Sequence, residues 1–203
     1  MTGIAVVDHG AGNLVSIARG LERAGASVNV VDGPAGLRGA DGVVLPGVGT
    51  TAAVMDGIRS GGFEDALRSL DVPLFGICVG MQVLFDTSEE DGADCLGLIP
   101  GVVRPLDGAP RLPHIGWNEL ATSGDEPLFS GLGPRPVVYF VHSFAPVPAD
   151  HSVVVATSSY DDPFVAAVRS GPVSGTQFHP ERSGAVGLQI LANVVAECAR
   201  IVA

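Results

Sequence analysis

The feature that most constrains this chain is a rhythm repeated through its first ninety residues: a short β-branched apolar run, a glycine turn, then a helical pattern. "GIAVVD" (Gly3 to Asp8) reads as a buried strand, "HGAGN" turns, and "LVSIARGLERAG" follows with Leu14, Ile17, Ala18 and Leu21 on one helix face. "SVNVV" (Ser27 to Val31) and "GVVLPG" (Gly42 to Gly47) are the next strands, then helical "TTAAVMDGIRS" and "FEDALRSL". "PLFGIC" is a fourth strand ending at Cys78 and running straight into "VGMQVLFDT". Strands that alternate with helices predict an α/β fold, a mostly parallel, doubly wound sheet flanked by helices. From Ala93 glycine- and proline-rich turns separate "PVVYFVHSF", "SVVVAT", "FVAAV" and "VSGTQF". These predict an antiparallel extension of the same sheet before a closing helix from about Gly184 to Val202. No interdomain linker or internal repeat interrupts the chain, and its 203 residues suffice for one domain with a substantial core.

Parallel sheets of this kind carry their sites where loops converge at the carboxyl ends of strands. That edge holds Asp8, the Pro46 to Gly49 turn and Cys78. Composition removes several chemistries from it. A formal charge of −11 argues against nucleic acid as a partner, because phosphate binding needs clustered cations. The eleven basic residues are all Arg, so neither a GK[ST] phosphate loop nor a lysine Schiff base is available. Val15 stands where the third glycine of a dinucleotide fingerprint belongs after "HGAGN". Three cysteines without CxxC spacing suggest neither a disulfide framework nor a zinc site, and no metal or cofactor is expected. With no basic leader and no apolar run near the ~20 residues that cross a bilayer, the expectation is a soluble, cytoplasmic protein that takes no membrane partner.

The chemistry concentrates in "GICVG", a G-x-C-x-G pattern at a strand-to-helix junction and the thiol counterpart of a nucleophile elbow. Gly76 and Gly80 suit a turn so sharp that side chains there would strike neighbouring backbone. The helix that follows favours the thiolate by its dipole and offers the Val79 N–H to an oxyanion. A buried strand-end cysteine is the competing reading of the elbow alone. "GTQFHPE" tips the balance, since a nucleophilic thiol needs a base and the base an orienting group. In extended backbone His179 and Glu181 leave the same face, roughly 7 Å apart at Cα, with Pro180 fixing φ between them. "LPGVGT" places glycines beside Val48, where a second backbone N–H could face the oxyanion.

These segments, together with "DHGAGNL", "PHIGWN" and "YFVHSF", resemble the class I (triad) glutamine amidotransferases along essentially the whole chain, residues 1–203 forming one such domain with a flavodoxin-like sheet. Within that family they are most similar to the glutaminase subunits that serve imidazole glycerol phosphate synthesis in histidine biosynthesis. The resemblance implies Cys78 as nucleophile, His179 as general base and then acid, and Glu181 as its orienter, with glutamine hydrolysed to glutamate and ammonia. It implies Val79 and, after a peptide rearrangement, Val48 as oxyanion donors, and Gly47, Gly49, Gln82, Glu90 and Ser143 as residues that hold L-glutamine, with Glu89 as a rival for Glu90. A (βα)8-barrel cyclase is the implied partner, forming a heterodimer through Asn13, Trp117, Tyr139 and Arg182. Four residues depart from the family pattern: Val79 for Leu, Arg182 for Lys, Phe144 for Tyr and His9 for Tyr. A glutaminase serving another amination pathway, such as pyridoxal phosphate synthesis, and a redox-sensing protein on the same fold are the competing functions.

Overall fold

The computed structural model describes residues 1–109 and 111–201. Strands β1 (Gly3–Val7), β2 (Ser27–Val31), β3 (Gly42–Gly47) and β4 (Leu74–Cys78) carry the first half. Short β5 (Thr87–Ser88) and β6 (Ala93–Asp94) follow, then β7 (Gly101–Pro105), β8 (His114–Glu119) and β9 (Ala121–Thr122). Next come β10 (Val137–His142), β11 (Phe144–Pro148), β12 (Val154–Tyr160), β13 (Asp162–Ser170) and β14 (Val173–Thr176). The helices are α1 (Leu14–Arg23), α2 (Thr51–Ser60), α3 (Glu64–Arg68), α4 (Val79–Gln82) and α5 (Gly184–Ile201). Val202, the last residue of the predicted closing helix, lies outside the described residues.

The main sheet runs β2-β1-β3-β4-β14-β13-β12-β9. Its first five strands are parallel, and β13, β12 and β9 continue it antiparallel. Every residue of β3 and β4 is buried, which is why those segments read as continuous apolar runs, while β2 at the edge is largely exposed. The chain leaves β1 in one direction to reach β2 and leaves β3 in the other to reach β4. Right-handed crossovers therefore put α1 and α2 on opposite faces, and α5 packs beside α1. The reversal between β1 and β3 opens the crevice at their carboxyl ends.

One predicted element is corrected. "PVVYFVHSF" is not a strand of the main sheet: it breaks at Ser143 into β10, which pairs with β8 in a two-stranded sheet among the described residues, and β11, which joins β7, β5 and β6 in a four-stranded sheet. Residues on either side of the break are drawn to two partner strands, so the corner at Ser143 is a junction between sheets. That corner overhangs Cys78.

Candidate functional site

β4 delivers Cys78 into a conformation that an L-residue resists, φ 55° and ψ −113°, before the first turn of α4 begins at Val79. The surroundings enforce it. A Cβ on Gly76 would lie 2.5 Å from the Gly80 carbonyl oxygen, and one on Gly80 would lie 2.0 Å from that of Leu45. The two glycines flanking the cysteine are there because backbone occupies the space of a side chain. Gly47 answers to the same packing, since its Cβ would meet the Gly80 nitrogen at 2.3 Å. It stands buried behind the elbow and is not among the residues that line the cavity.

His179 follows β14 and reaches across to the thiol. Its Nδ1 sits 2.9 Å from Glu181 Oε1, with both side chains buried. The local geometry differs from the extended dipeptide predicted: Pro180–Arg182 is a 3₁₀ turn with His179 at its head. Proline is well placed at the first position of such a turn, and the curl brings the carboxylate directly under the ring. The His179 backbone is held on both sides by β10. Its N–H donates to the Tyr139 carbonyl at 3.0 Å, and Ser183 Oγ donates to its carbonyl at 2.7 Å while accepting from the Tyr139 N–H at 3.0 Å.

His179 Nε2 is buried without a hydrogen-bond partner, as is Glu181 Oε2. Burial alone would lower the imidazole's affinity for a proton, but its interactions with Cys78 and with Glu181 outweigh it and push His179 up to about 10. The arrangement favours the imidazolium, the form that can give a proton to a leaving group. The other two cysteines are different: burial raises Cys95 to about 11 and Cys198 to about 12, which keeps both as inert core thiols.

A cavity of about 150 Å³ opens over Cys78, lined by Val48, Gly49, Val79, Gln82, Glu90, Ser143 and His179 among others. That is well under the ~300–1,000 Å³ of pockets for drug-sized ligands and suits something the size of an amino acid. Of the two candidate carboxylates, Glu90 lines the cavity and accepts from the Thr51 N–H at 2.9 Å. Glu89 instead forms a half-exposed pair with Arg104. Gly49 has φ +89°, so the turn holding Val48 uses a conformation open to glycine.

Several lining or supporting groups were given no role in the site by the sequence. Gln177 is fully buried, and its Nε2 lies 3.6 Å from Cys78 Sγ while its Oε1 accepts from Gln82 Nε2 at 3.0 Å. The signal was its place two residues before His179, in the bend that follows β14. His142 also lines the cavity. His9 donates from Nε2 to the Pro46 carbonyl at 2.8 Å and ties the loop after β1 to the segment leading to Val48.

On the neighbouring surface Trp117 and Tyr139 are register partners in β8 and β10, with ring centroids 5.7 Å apart. The Arg182 guanidinium lies 4.4 Å above the Tyr139 ring. Trp117 is 55% exposed, so it is not the core tryptophan that would be the default. Asn13, just ahead of α1, is exposed as well. Among the described residues no His, Cys, Asp and Glu cluster could hold a metal, and no helix is long and apolar enough to cross a membrane.

A cysteine elbow, a carboxylate-backed histidine and a cavity over the carboxyl ends of β3 and β4 define a class of enzyme, and the chain belongs to it: the class I glutamine amidotransferase model matches residues 5–198. Two relatives carry a narrower name. The chain is 49% identical over 205 residues to the imidazole glycerol phosphate synthase subunit HisH of Synechococcus sp. (strain JA-3-3Ab), covering 97% of this chain and 94% of that one. It is 50% identical over 208 residues to the HisH subunit of Halobacterium salinarum, with the same coverage. Solved structures share the fold. One described as a glutamine amidotransferase superposes with a TM-score of 0.71 at 23% identity, covering 95% of this chain and 98% of that one. PurLQS from Thermotoga maritima gives 0.72 at 21%, covering 96% and 98%.

Proposed function

We propose that this chain, acting as one domain, is the glutaminase subunit of an imidazole glycerol phosphate synthase. It hydrolyses L-glutamine and passes the ammonia to a (βα)8-barrel cyclase subunit. The observation that carries the chemistry is the pairing of a strained Cys78 with a buried His179 whose free Nε2 has Glu181 behind it. Near-50% identity to two HisH subunits over almost their full length carries the choice of pathway.

The Cys78 thiolate attacks the side-chain amide carbon of glutamine, and the carbonyl electrons move onto oxygen, where the Val79 N–H and a rotated Val48 N–H receive the charge. The tetrahedral intermediate collapses as the His179 imidazolium protonates the departing nitrogen, which releases ammonia and leaves a glutamyl thioester on Cys78. His179, now neutral, takes a proton from water, the hydroxide adds to the thioester, and glutamate leaves with the thiolate restored. Gly49, Gln82, Glu90 and Ser143 hold the amino acid. Trp117, Tyr139, Arg182 and Asn13 form the docking surface for the cyclase, with Trp117 as its large anchor.

The test is glutamine-dependent ammonia release with and without the barrel cyclase. The chain should be much more active when the cyclase is added and should co-purify with it, and Cys78→Ala should abolish release. Ammonia production that survives Cys78→Ala would overturn the mechanism; failure to bind or respond to the cyclase would overturn the assignment of partner.

A further inference from the structure

The corner at Ser143 that forms one wall of the cavity is held by two buried histidines that the mechanism above does not use, His142 on the wall itself and His114 behind it. His114 on β8 and His142 on β10 are register partners, 1% and 6% exposed. His114 Nδ1 lies 3.1 Å from His142 Nε2. Outward from this contact the chain of hydrogen bonds is fixed at both ends by main-chain carbonyls, which can only accept. His142 Nδ1 is 2.9 Å from the Phe144 carbonyl, so that nitrogen carries a hydrogen. Asn118 Nδ2 donates to the Ser159 carbonyl at 2.9 Å, which turns its Oδ1 toward His114 Nε2, also at 2.9 Å. That nitrogen therefore carries a hydrogen as well. A third proton is then needed to bridge the two rings. Two neutral imidazoles have two N–H groups between them, and these contacts require three.

We propose that His114 and His142 share one extra proton and, as a singly charged pair, position the Ser143–Phe144 wall of the glutamine cavity through the Phe144 carbonyl. The same carbonyl accepts from Gln82 Nε2 at 2.9 Å, and Gln82 leads through Gln177 to the sulfur of Cys78. The pair thus stands at one end of a continuous line of hydrogen bonds that ends at the nucleophile. Without the third proton two nitrogen lone pairs face each other at 3.1 Å, and the wall loses the support that sets its position. Phe140 and Phe164 close over both rings, Tyr160 stacks on His114 with centroids 4.1 Å apart, and His179 lies across the cavity. Burial works against protonation and pushes both rings down, His142 to about 4, where repulsion from His114 and His179 adds to burial and the hydrogen bond to the Phe144 carbonyl opposes it. The extra proton is retained against that burial because only the singly charged pair supplies a hydrogen to all three contacts: the Phe144 carbonyl, Asn118 Oδ1 and the bridge between the rings. His114 and His142 act through the wall and not on the reacting atoms, which makes them positioning residues.

The role in glutamine binding rests on the glutaminase reading, whereas the proton count does not, so the two can fail separately. Two-bond ¹H–¹⁵N spectra of histidine-labelled protein in complex with the cyclase should show three protonated ring nitrogens on His114 and His142 at neutral pH. Finding two would overturn the proposal even with glutaminase activity intact. In steady-state assays on the complex, His114→Leu should raise KM for glutamine by about tenfold or more, with kcat the smaller change, as displacement of a positioning wall does. His114→Gln, whose amide can donate to His142 Nε2, should restore KM toward wild type. A KM unchanged in His114→Leu, or equally impaired in both variants, would refute the positioning role.

Discussion

The strain at the elbow can be measured by replacing Cys78 with Ala and, separately, with Gly. Both variants lack the sulfur, so comparing them isolates the backbone and one methyl group. At an ordinary buried strand position the Ala-to-Gly step costs about 0.5–1 kcal/mol in chain entropy and about 0.8 kcal/mol for the lost methyl. Ala5 on β1, 1% exposed and outside the left-handed region, provides that reference, and Ala5→Gly should destabilise by about 1.5 kcal/mol. At position 78, with φ 55° and ψ −113°, glycine also releases about 1–3 kcal/mol of strain that alanine retains. The step from Cys78→Ala to Cys78→Gly should therefore be near neutral or stabilising, about 2 kcal/mol more favourable than the same step at residue 5. Urea unfolding of the four proteins tests this, and thermal midpoints should move in parallel by about 2–4 °C per kcal/mol in a domain of this size. If the step costs as much at residue 78 as at residue 5, the elbow is unstrained and the account of Gly76 and Gly80 as enforcing it is wrong.

Three further outcomes follow from the site. Glu181→Gln should lower kcat by about 10²–10⁴-fold while the protein stays folded, because the imidazole loses its charged orienter; a loss below tenfold in the cyclase complex would contradict the triad. His179 has its proton affinity raised in the folded state, from the ordinary 6.5 to about 10, so the stability it contributes is complete below about pH 6.5 and is lost as pH rises toward 10. The pH dependence of unfolding should show that decline, and Cys78→Ala, which removes one of the two partners that raise it, should flatten it; a wild-type curve that rises over this range would be evidence against that pairing. Trp117→Ala should weaken association with the cyclase by about 2 kcal/mol, roughly 30-fold in Kd. Calorimetric titration would read it, and an unchanged Kd would remove Trp117 from the interface.

Much of this architecture was legible because local chemistry and global position agree. The β-branched runs ending at Val7, Gly47 and Cys78 announce central parallel strands, and the glycines at 76 and 80 announce the elbow. His179 and Glu181 were legible for a different reason: their proximity is local, two residues apart, although the detail was a 3₁₀ turn and not an extended pair. What could not be read depends on which strands meet. The division of residues 137–148 at Ser143 follows from competition between β8 and β7 for neighbouring halves of one apolar stretch, and nothing in the run itself marks the winner. The contact between His114 and His142 comes from the register of β8 on β10 across a separation of 28 residues. Both histidines sit inside motifs that stood out as family signatures, yet their pairing appears only when the strands are laid side by side. Gly47 shows the converse: a glycine in a recognisable loop whose close packing against the elbow appears only in three dimensions.

The most direct test of the central claim is mass-spectrometric mapping of the cyclase complex after treatment with an electrophilic glutamine analogue. A single covalent adduct on Cys78, formed quickly in wild type, slowly in His179→Ala and prevented by excess L-glutamine, is the predicted result. Labelling confined to Cys95 or Cys198, or an adduct that glutamine does not compete away, would contradict it.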